Sequence, residues 1–186
     1  MRVISGTARG KKLNTLSGLN TRPTLDRVKE AVFSIIQFDL EDKYVLDLFS
    51  GSGALAIESL SRGAKYAVLC DNSYEAIRII KQNIKETKFE DKSEIINKDY
   101  VEALKKLNKQ NTKFDIIFLD PPYELNISKE AIKLILELGL LNEDGIIIIE
   151  SDEKDREIKN LENLNVEVYD SRKYGRANLI FLVERG

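Results

Sequence analysis

The stretch VLDLFSGSGALA, residues 45–56, is an apolar run that leads through two glycines into a segment of helix-forming residues. Gly51, Gly53 and Ala56 match the pattern G-x-G-x-x-A, which is typical of a tight turn from a strand into a helix N-terminus. Asp71 follows Gly51 by 20 positions, at the end of the next apolar run. Taken at face value, this spacing predicts a dinucleotide site at the carboxyl end of the first strand of an α/β sheet.

Apolar runs with the character of buried strands alternate with helical patterns from residue 44 onward. The predicted strands are Tyr44–Phe49, Tyr66–Cys70, Glu94–Ile96, Phe114–Leu119, Gly145–Glu150, Val166–Tyr169 and Asn178–Val183. The predicted helices lie near residues 54–62, 73–87, 100–109, 128–139 and 154–162. Such alternation is typical of βαβ units, so we expect a seven-stranded, mostly parallel sheet. No helical pattern separates the last two strands, so we expect them to pair antiparallel.

The first residues of the chain do not follow this alternation. RVISG and KKLNT are expected to pair as a small β-hairpin around Thr7–Gly10, followed by a helix with Thr24 as its N-cap. The apolar stripe of that helix consists of Val28, Val32, Ile35 and Ile36. We therefore predict an N-terminal hairpin arm over residues 1–23 and a larger α/β domain over residues 24–186.

The composition fits one globular domain with a small appendage, since 42% of the 186 residues are hydrophobic and 32% are charged. No apolar run approaches the roughly 18 residues that a membrane span requires. The N-terminus MRVISGTARGKKL has no apolar core of signal-peptide length. We therefore expect a cytoplasmic protein without a membrane partner, and a monomer.

Missing residue types exclude several kinds of chemistry. The chain has no histidine and a single cysteine, Cys70. Ser-His-Asp catalysis and imidazole-based zinc sites are excluded, and one thiol cannot form an internal disulfide or a thiolate cluster. Cys70 ends an apolar run, which favours a small buried side chain. We expect no metal, and catalysis by carboxylates, amides, hydroxyls, backbone groups or a cosubstrate.

Charge is distributed unevenly along the chain. Residues 1–30 contain seven basic and two acidic side chains, a net charge of +5, whereas the whole chain carries −2. An acidic body with a basic N-terminal segment predicts that a polyanion docks at that end. An ordinary solvated face would give the same pattern, so this alternative stays open.

The acid inside the glycine stretch argues against a dinucleotide. Asp47 lies four residues before Gly51, where its carboxylate would repel phosphate but suit a cation, such as the ammonium of a methionine moiety beside a sulfonium. Asp71 can accept from ribose hydroxyls, and Asp99 can either accept from an adenine amino group or cap the next helix. These features favour S-adenosylmethionine as cosubstrate. The predicted cofactor-binding residues are Asp47, Phe49, Gly51, Gly53, Asp71, Asn72, Asp99 and Tyr100.

The stretch IIFLDPPYEL, residues 116–125, ends a buried strand on an acid and two prolines, which cannot continue the ladder. The end of this strand should lie near the switch point where ligands of open α/β sheets bind. There, Asp120 and the Pro121 carbonyl can accept both hydrogens of an exocyclic nucleobase amine during methyl transfer. Tyr123 offers a stacking surface worth about 1–3 kcal/mol. The predicted catalytic residues are Asp120, Pro121, Pro122 and Tyr123.

Several stretches of the chain together resemble a known family. DLFSGSG followed by DPPY resembles class I S-adenosylmethionine-dependent methyltransferases that act on exocyclic amines. With RVISGTARGKKL at residues 2–13 and TRPTLDRVKEAVFSII at residues 21–36, the chain is similar over nearly its whole length to the bacterial 16S rRNA guanine-N2 methyltransferases.

The resemblance implies a Rossmann-like class I methyltransferase domain over residues 24–186, S-adenosylmethionine as cosubstrate, and one loop guanine in the 16S rRNA of the small ribosomal subunit as substrate. It also implies that the basic arm faces the RNA. The implied nucleic-acid-binding residues are Arg9, Lys11, Arg22, Thr24 and Arg27.

Other functions share parts of these patterns. The residues alone do not distinguish guanine from adenine or cytosine, and a DNA adenine-N6 methyltransferase would use the same amine motif. An RNA-binding assembly factor could keep the pocket without catalysis. An NAD-dependent oxidoreductase would share the glycines, but the chain has no histidine and no evident Lys/Tyr proton-transfer pair at the pocket. Sequence-specific RNA recognition targets splayed-out loop bases, which favours RNA.

Overall fold

The computed structural model describes residues 1–16, 23–121 and 127–186, apart from the side chains of residues 23–25. The helices are α1 (Pro23–Ile35), α2 (Ala54–Ser61), α3 (Tyr74–Thr87), α4 (Tyr100–Lys109), α5 (Ile127–Glu137) and α6 (Lys154–Leu161), with a short 3-10 helix at Glu90–Lys92. The strands are β1 (Tyr44–Asp47), β2 (Tyr66–Asp71), β3 (Ser93–Asn97), β4 (Phe114–Leu119), β5 (Leu141–Ser151), β6 (Val166–Tyr174) and β7 (Ala177–Glu184). Within the described residues, no helix is long and apolar enough to cross a membrane.

The seven strands form one sheet in the order β3-β2-β1-β4-β5-β7-β6. Strands β1 to β5 pair in parallel, while β7 is antiparallel to both β5 and β6. The prediction of a seven-stranded, mostly parallel sheet with one antiparallel strand is therefore confirmed. The chain winds outward in opposite directions from the neighbouring strands β1 and β4, which creates the topological switch point of the sheet.

The sheet is buried on both faces because its central strands are apolar at successive positions. Val45 and Ile116 belong to the hydrophobic cluster on one face, and Leu46 and Ile117 belong to the cluster on the other. Helical crossovers cover both faces of a parallel sheet, so both sides of each strand need apolar residues. The continuous apolar runs that predicted the strands follow from this double burial.

The largest differences from the predicted strand bounds are in β5 and β6. Strand β5 begins at Leu141 rather than Gly145, and β6 continues to Tyr174 rather than Tyr169. Apart from Leu141 and Tyr174, the added residues are polar, so the added segments lack the continuous apolar character on which the prediction relied. In β6 the added residues pair with β7 as far as the tight turn between Tyr174 and Ala177.

Helix α1 begins at Pro23. The prediction of Thr24 as its N-cap is therefore wrong, because Thr24 is the second residue of the helix. Proline is favoured at the first helical position, since its missing N–H has no partner there and its φ suits the helix. The apolar stripe is confirmed at Val28, Val32 and Ile36, which are buried, while Ile35 is partly buried.

The predicted N-terminal hairpin is present but minimal. Arg2 and Lys12 form one isolated antiparallel bridge, the Val3 N–H donates to Lys11 O at 2.9 Å, and the Gly10 N–H donates to Val3 O at 2.9 Å. The arm, which we define as residues 1–16, buries the side chains of Val3, Ala8 and Leu13 in the core cluster on the α1 side. The division of the chain at residue 23 stays a prediction.

A buried carboxylate attaches the arm to the rest of the protein. Glu58 on α2 is fully buried and accepts from the backbone N–H of Ile4 at 2.8 Å and of Ser5 at 3.0 Å. Its two oxygens also lie 3.2 Å from Lys29 Nζ and 2.8 Å from Arg62 Nε. A buried charge is strongly destabilising unless it is paired and hydrogen-bonded. Glu58 therefore requires the arm, α1 and α2 to be in place together.

Gly6→Ala is expected to detach the arm and lower the stability of the protein. Gly6 has a φ of +81°, and a Cβ there would lie 1.6 Å from Ser61 O. Gly10→Ala is the matched control, because Gly10 has a φ of +83° but open space around the Cβ position. In urea unfolding, Gly10→Ala should cost about 1–3 kcal/mol of backbone strain, and Gly6→Ala clearly more. Equal losses would contradict the proposed close approach of the arm.

Candidate active site

A cavity of about 770 Å³ opens at the carboxyl ends of the central strands, at the switch point between β1 and β4. Its walls come from the ends of β1, β2, β4 and β5, from α1 and from the arm. Ligands of open α/β sheets bind at this position. Of the twelve predicted cofactor-binding and catalytic residues, nine line this cavity: Asp47, Phe49, Gly51, Asp71, Asn72, Asp99, Tyr100, Asp120 and Pro121.

The glycine loop connects β1 to α2 in a conformation that favours glycine. Gly51 and Gly53 have φ values of +56° and +79°. A Cβ on Gly53 would lie 2.8 Å from Leu69 Cδ2, so this glycine lets α2 pack closely on the sheet. The Gly53 N–H donates to Ser50 O at 2.7 Å, which closes the turn. Gly53 itself is buried beneath the loop, between α2 and the sheet.

Asp71 at the end of β2 holds the glycine loop from the side. Its Oδ2 accepts from the Gly51 N–H at 2.9 Å, and its Oδ1 accepts from the Ser73 N–H at 2.9 Å. Each carboxylate oxygen can accept more than one hydrogen bond, so acceptor capacity is left over toward the cavity. Asn72 follows Asp71 and is exposed at the cavity wall.

Asp47 is the most deeply buried acid of the cavity, with 2% of its surface exposed. Burial raises the pKa of Asp47 to about 7, a backbone hydrogen bond from Ala56 opposes that shift, and the charge of Asp71 adds to it. Within the described residues, its Oδ2 has no hydrogen-bond partner. A buried polar atom without a partner requires an explanation, and a ligand cation or donor would supply one.

Asp99 and Tyr100 begin helix α4 at the far side of the cavity. Asp99 is exposed and caps the helix, because its Oδ1 accepts from the Glu102 N–H at 3.0 Å. The helix-cap alternative therefore holds for this oxygen, and Asp99 also faces the cavity. The Tyr100 ring packs against Phe49 with 5.8 Å between ring centroids. Together these rings make an aromatic wall beside the glycine loop.

Asp120 and Pro121 follow β4 directly and face the cavity from the opposite side of the switch point. The side chain of Asp120 is exposed at the cavity, but the surrounding protein still removes it from bulk water. This burial raises the pKa of Asp120, and the negative charge of Asp47 adds to the shift. Pro122 and Tyr123, which the sequence also predicts as catalytic, lie outside the described residues.

Glu150 is a cavity residue to which sequence reasoning assigned no function. It lies at the end of β5, half-buried, and burial together with the charge of Asp120 raises its pKa. The available signal was the acid that ends the apolar run GIIIIE, in the way that Asp71 ends β2. That signal was read only as the end of a strand.

The predicted RNA-facing residues fall in different parts of the chain. Arg9 and Lys11 lie on the arm and Arg27 lies on α1, and all three side chains are exposed. Arg22 and the side chain of Thr24 lie outside the described residues. Lys29, which contributed to the basic charge of the N-terminal segment, is buried in its ion pair with Glu58 and is not part of the basic surface.

The described residues contain no group of His, Cys, Asp and Glu side chains that could hold a metal ion. Cys70 is buried and free, and burial raises the pKa of its thiol. The expectation of a small buried side chain at this position is confirmed.

The fold is that of a class I, Rossmann-like methyltransferase, the fold class of S-adenosylmethionine-dependent enzymes. Three features define it: a seven-stranded sheet of this order, a glycine loop after β1 and an acid-proline pair after β4. The chain belongs to the family described as Conserved hypothetical protein 95, which matches residues 1–183.

Three relatives illustrate this membership. The chain is 38% identical over 187 residues, all of both chains, to YlbH of Bacillus subtilis (strain 168), which is provisionally named an rRNA methyltransferase. It is 36% identical over 164 residues, 88% of this chain and 84% of the relative, to the ribosomal RNA small subunit methyltransferase D of Haemophilus influenzae. The solved structure of yhhF from Escherichia coli, provisionally named a methyltransferase, has a TM-score of 0.83 at 25% identity and covers 100% of this chain and 98% of its own. The family resemblance is confirmed.

Asp47→Asn is expected to stabilise the cofactor-free protein at neutral pH. Because the pKa of Asp47 rises from 3.8 to about 7 on folding, the folded protein keeps a proton that the unfolded chain loses between these values. The free energy of unfolding therefore falls as the pH rises through this window and stays lowered above it. The variant lacks this fall, so its advantage should grow from near zero at about pH 4 to a few kcal/mol at about pH 8.

Urea unfolding at a series of pH values measures this difference. Asp152→Asn is the control, because Asp152 is an exposed acid whose carboxylate pairs with Arg156 on the surface. Parallel pH profiles for the wild type and Asp47→Asn would contradict the raised pKa.

Proposed function

We propose that the protein transfers a methyl group from S-adenosylmethionine to the exocyclic N2 amine of a guanine in the 16S rRNA of the small ribosomal subunit. The observation that carries the proposal is one shared cavity. Asp120 and Pro121 enter it from the end of β4, opposite the glycine loop and the buried Asp47. This arrangement juxtaposes a pair of acceptors for an amine with a site that suits a cationic cosubstrate.

The cavity fits S-adenosylmethionine by the chemistry of its walls. The unpartnered Oδ2 of Asp47 would accept from the ammonium group, and the free acceptor capacity of Asp71 would take the ribose hydroxyls. Phe49 and Tyr100 would flank the adenine, with Asp99 accepting from its amino group. Asn72 lines the same side. When bound, the cosubstrate supplies a methyl group activated by a sulfonium.

The chain's own residues position the amine that reacts. Asp120 and the Pro121 carbonyl accept its two hydrogens, which leaves the nitrogen lone pair free to form the new N–C bond in line with the S–C bond that breaks. Acceptors on both hydrogens stabilise the positive charge that develops on nitrogen. A raised pKa makes Asp120 a better proton acceptor than an ordinary aspartate, so it can take the proton released after transfer. Pro122 would keep the turn rigid, and Tyr123 would stack on the base.

The RNA substrate is proposed from the basic arm and from the relatives. The exposed side chains of Arg9, Lys11 and Arg27 are available to contact phosphates, and Arg22 and Thr24 are assigned to the same surface from the sequence. The Haemophilus influenzae relative bears the name of a small-subunit rRNA methyltransferase. We propose that the enzyme works as a monomer in the cytoplasm, where ribosomal RNA is modified.

Asp120→Ala is expected to abolish methyl transfer and leave cosubstrate binding intact. S-adenosylmethionine with a labelled methyl group is offered with small subunits that lack the modification, with naked 16S rRNA and with unmethylated DNA. The wild type should yield N2-methylguanosine from the ribosomal substrates alone. Asp120→Ala should be slower by about 10³-fold or more, because it removes an acceptor at the reacting nitrogen. Its thermal shift with S-adenosylmethionine should equal that of the wild type.

Asp152→Ala is the control, since it removes an exposed acid outside the cavity. Label in N6-methyladenine of DNA would retain the catalytic assignment and overturn the substrate. Equal rates for wild type and Asp120→Ala would overturn the role of Asp120. Cosubstrate binding without label on any polymer would favour the non-catalytic assembly factor.

Arg9→Ala is expected to weaken substrate binding and to flatten its salt dependence. A side chain that neutralises one phosphate contributes nearly one unit to the slope of log affinity against log salt. Binding to small subunits is measured over a range of salt concentrations. The control is Lys133→Ala, because Lys133 lies on α5 and pairs with Glu137 at 3.7 Å. An unchanged slope for Arg9→Ala would remove the arm from the RNA contact.

A further inference from the structure

Five carboxylates line the cavity, and the proposed reaction uses four of them. Asp47, Asp71 and Asp99 are assigned to the cosubstrate, and Asp120 is assigned to the reacting amine. Glu150 is left without a role. A half-buried acid next to other acids is destabilising unless a partner group compensates it, so a ligand contact is its natural explanation.

Glu150 lies beside Asp120 because of the register between β4 and β5. Leu119 pairs with Ile149 in this register, so the residues that follow them, Asp120 and Glu150, are neighbours at the mouth of the sheet. On its other side Glu150 pairs with Leu179 of β7, whose side chain is buried at the cavity wall. Within the described part of the chain, no hydrogen bond or ion pair to the Glu150 carboxylate is formed.

Much of the wall of the cavity that holds Glu150 is apolar. Val28 and Val32 of α1, Phe118 of β4 and Ile148 of β5 supply buried side chains to its wall. Lys29 also lines the cavity, but its Nζ lies 3.2 Å from Glu58 and donates to Arg2 O at 2.5 Å, so it is already paired. A flat, largely apolar ring with a hydrogen-bonding edge is the kind of ligand that suits such walls.

We propose that Glu150 accepts the N1–H of the target guanine and thereby selects guanine over adenine and cytosine. This inference rests on the proposed function, and it names the residue that reads the base. The Watson–Crick edge of guanine presents the N1–H and the N2 amine side by side as donors. Two neighbouring acceptors, Asp120 for the amine and Glu150 for N1–H, match these two donors. Although burial and the charge of Asp120 raise the pKa of Glu150, the N1–H donor of a bound guanine would favour the ionised carboxylate. Hydrogen bonds to an ionised carboxylate are stronger than neutral ones.

The same pair of acids would reject the other amine-bearing bases. Adenine at N1 and cytosine at N3 present a lone pair beside the amine, and this lone pair would face the Glu150 carboxylate. The lone pair of the ring nitrogen and the Glu150 carboxylate would repel each other. Both would lack a hydrogen bond in a site that excludes water. A site built to hydrogen-bond one group rejects analogues that lack it far more strongly than an apolar pocket rejects a different shape.

Glu150→Gln tests this inference with a base analogue. 2-Aminopurine keeps the 2-amine of guanine but has an unprotonated N1. Small subunits are assembled from 16S rRNA that carries guanine or 2-aminopurine at the position that the wild type methylates. The wild type should prefer guanine strongly. In Glu150→Gln the amide can donate to the unprotonated N1, so the guanine to 2-aminopurine ratio of kcat/KM should fall by about 100-fold.

Two further variants show whether the effect is specific. Glu143→Gln alters an exposed acid near the other end of β5 and should keep the wild-type ratio. Glu150→Asp keeps a carboxylate, so it should be slower than the wild type but retain the preference for guanine. The thermal shift with S-adenosylmethionine should be the same for every variant, because Glu150 is not assigned to the cosubstrate.

The outcomes separate this inference from the proposed function. A collapsed ratio in Glu150→Gln, with cosubstrate binding retained, supports the reading of N1–H by Glu150. An unchanged ratio overturns it, and so does an equal loss on both bases, which would indicate a merely structural role. A wild type that labels no guanine N2 overturns the proposed function itself, whatever the variants do.

Discussion

Acidic side chains converge on one cavity because the parallel strands of the sheet end at the same edge. Four of these acids lie at or next to the carboxyl ends of four different strands, so none could move away without changing the sheet: Asp47, Asp71, Asp120 and Glu150. Burial and mutual repulsion raise the pKa of Asp47, Asp120 and Glu150. Each of these three acids therefore keeps its proton to a higher pH than an ordinary carboxylate does. A cluster of acids attracts a cation and repels phosphate. This property distinguishes the cavity from the dinucleotide sites of proteins with a similar glycine pattern.

The N-terminal arm is attached to the glycine loop at the edge of this cavity. Asn83 on α3 donates to the carbonyls of Asn14 at 3.0 Å and Ser52 at 2.8 Å, and its Oδ1 accepts from the Asn14 N–H at 2.8 Å. One buried amide thus joins the arm to the glycine loop. Together with the Glu58 ion pairs, this contact couples the position of the arm to the geometry of the glycine loop. In the proposed function, these buried contacts would fix the position of an RNA bound by the arm relative to the cavity.

The differences between expectation and structure have a common physical cause. Strand β5 starts early and β6 runs long through mostly polar residues, because backbone pairing with a neighbouring strand does not require apolar side chains. Lys29 counted as surface charge in the sequence, but packing brings it to Glu58, from which it is separated by 29 positions. Glu150 was read as a strand end, since its neighbour Asp120 lies 30 positions away in the chain.

The sequence by itself determined the order of helices and strands, the tight glycine turn after β1 and the acid-proline exit after β4. These are local properties, because hydrophobic periodicity, glycine conformation and the missing proline N–H act within a few residues. Only the tertiary structure decided which strands are neighbours, that β7 lies between β5 and β6, and that Glu150 joins the four predicted acids in one cavity. Those features depend on contacts between residues far apart in the chain. Such contacts arise from the packing of the whole core, which no local pattern encodes.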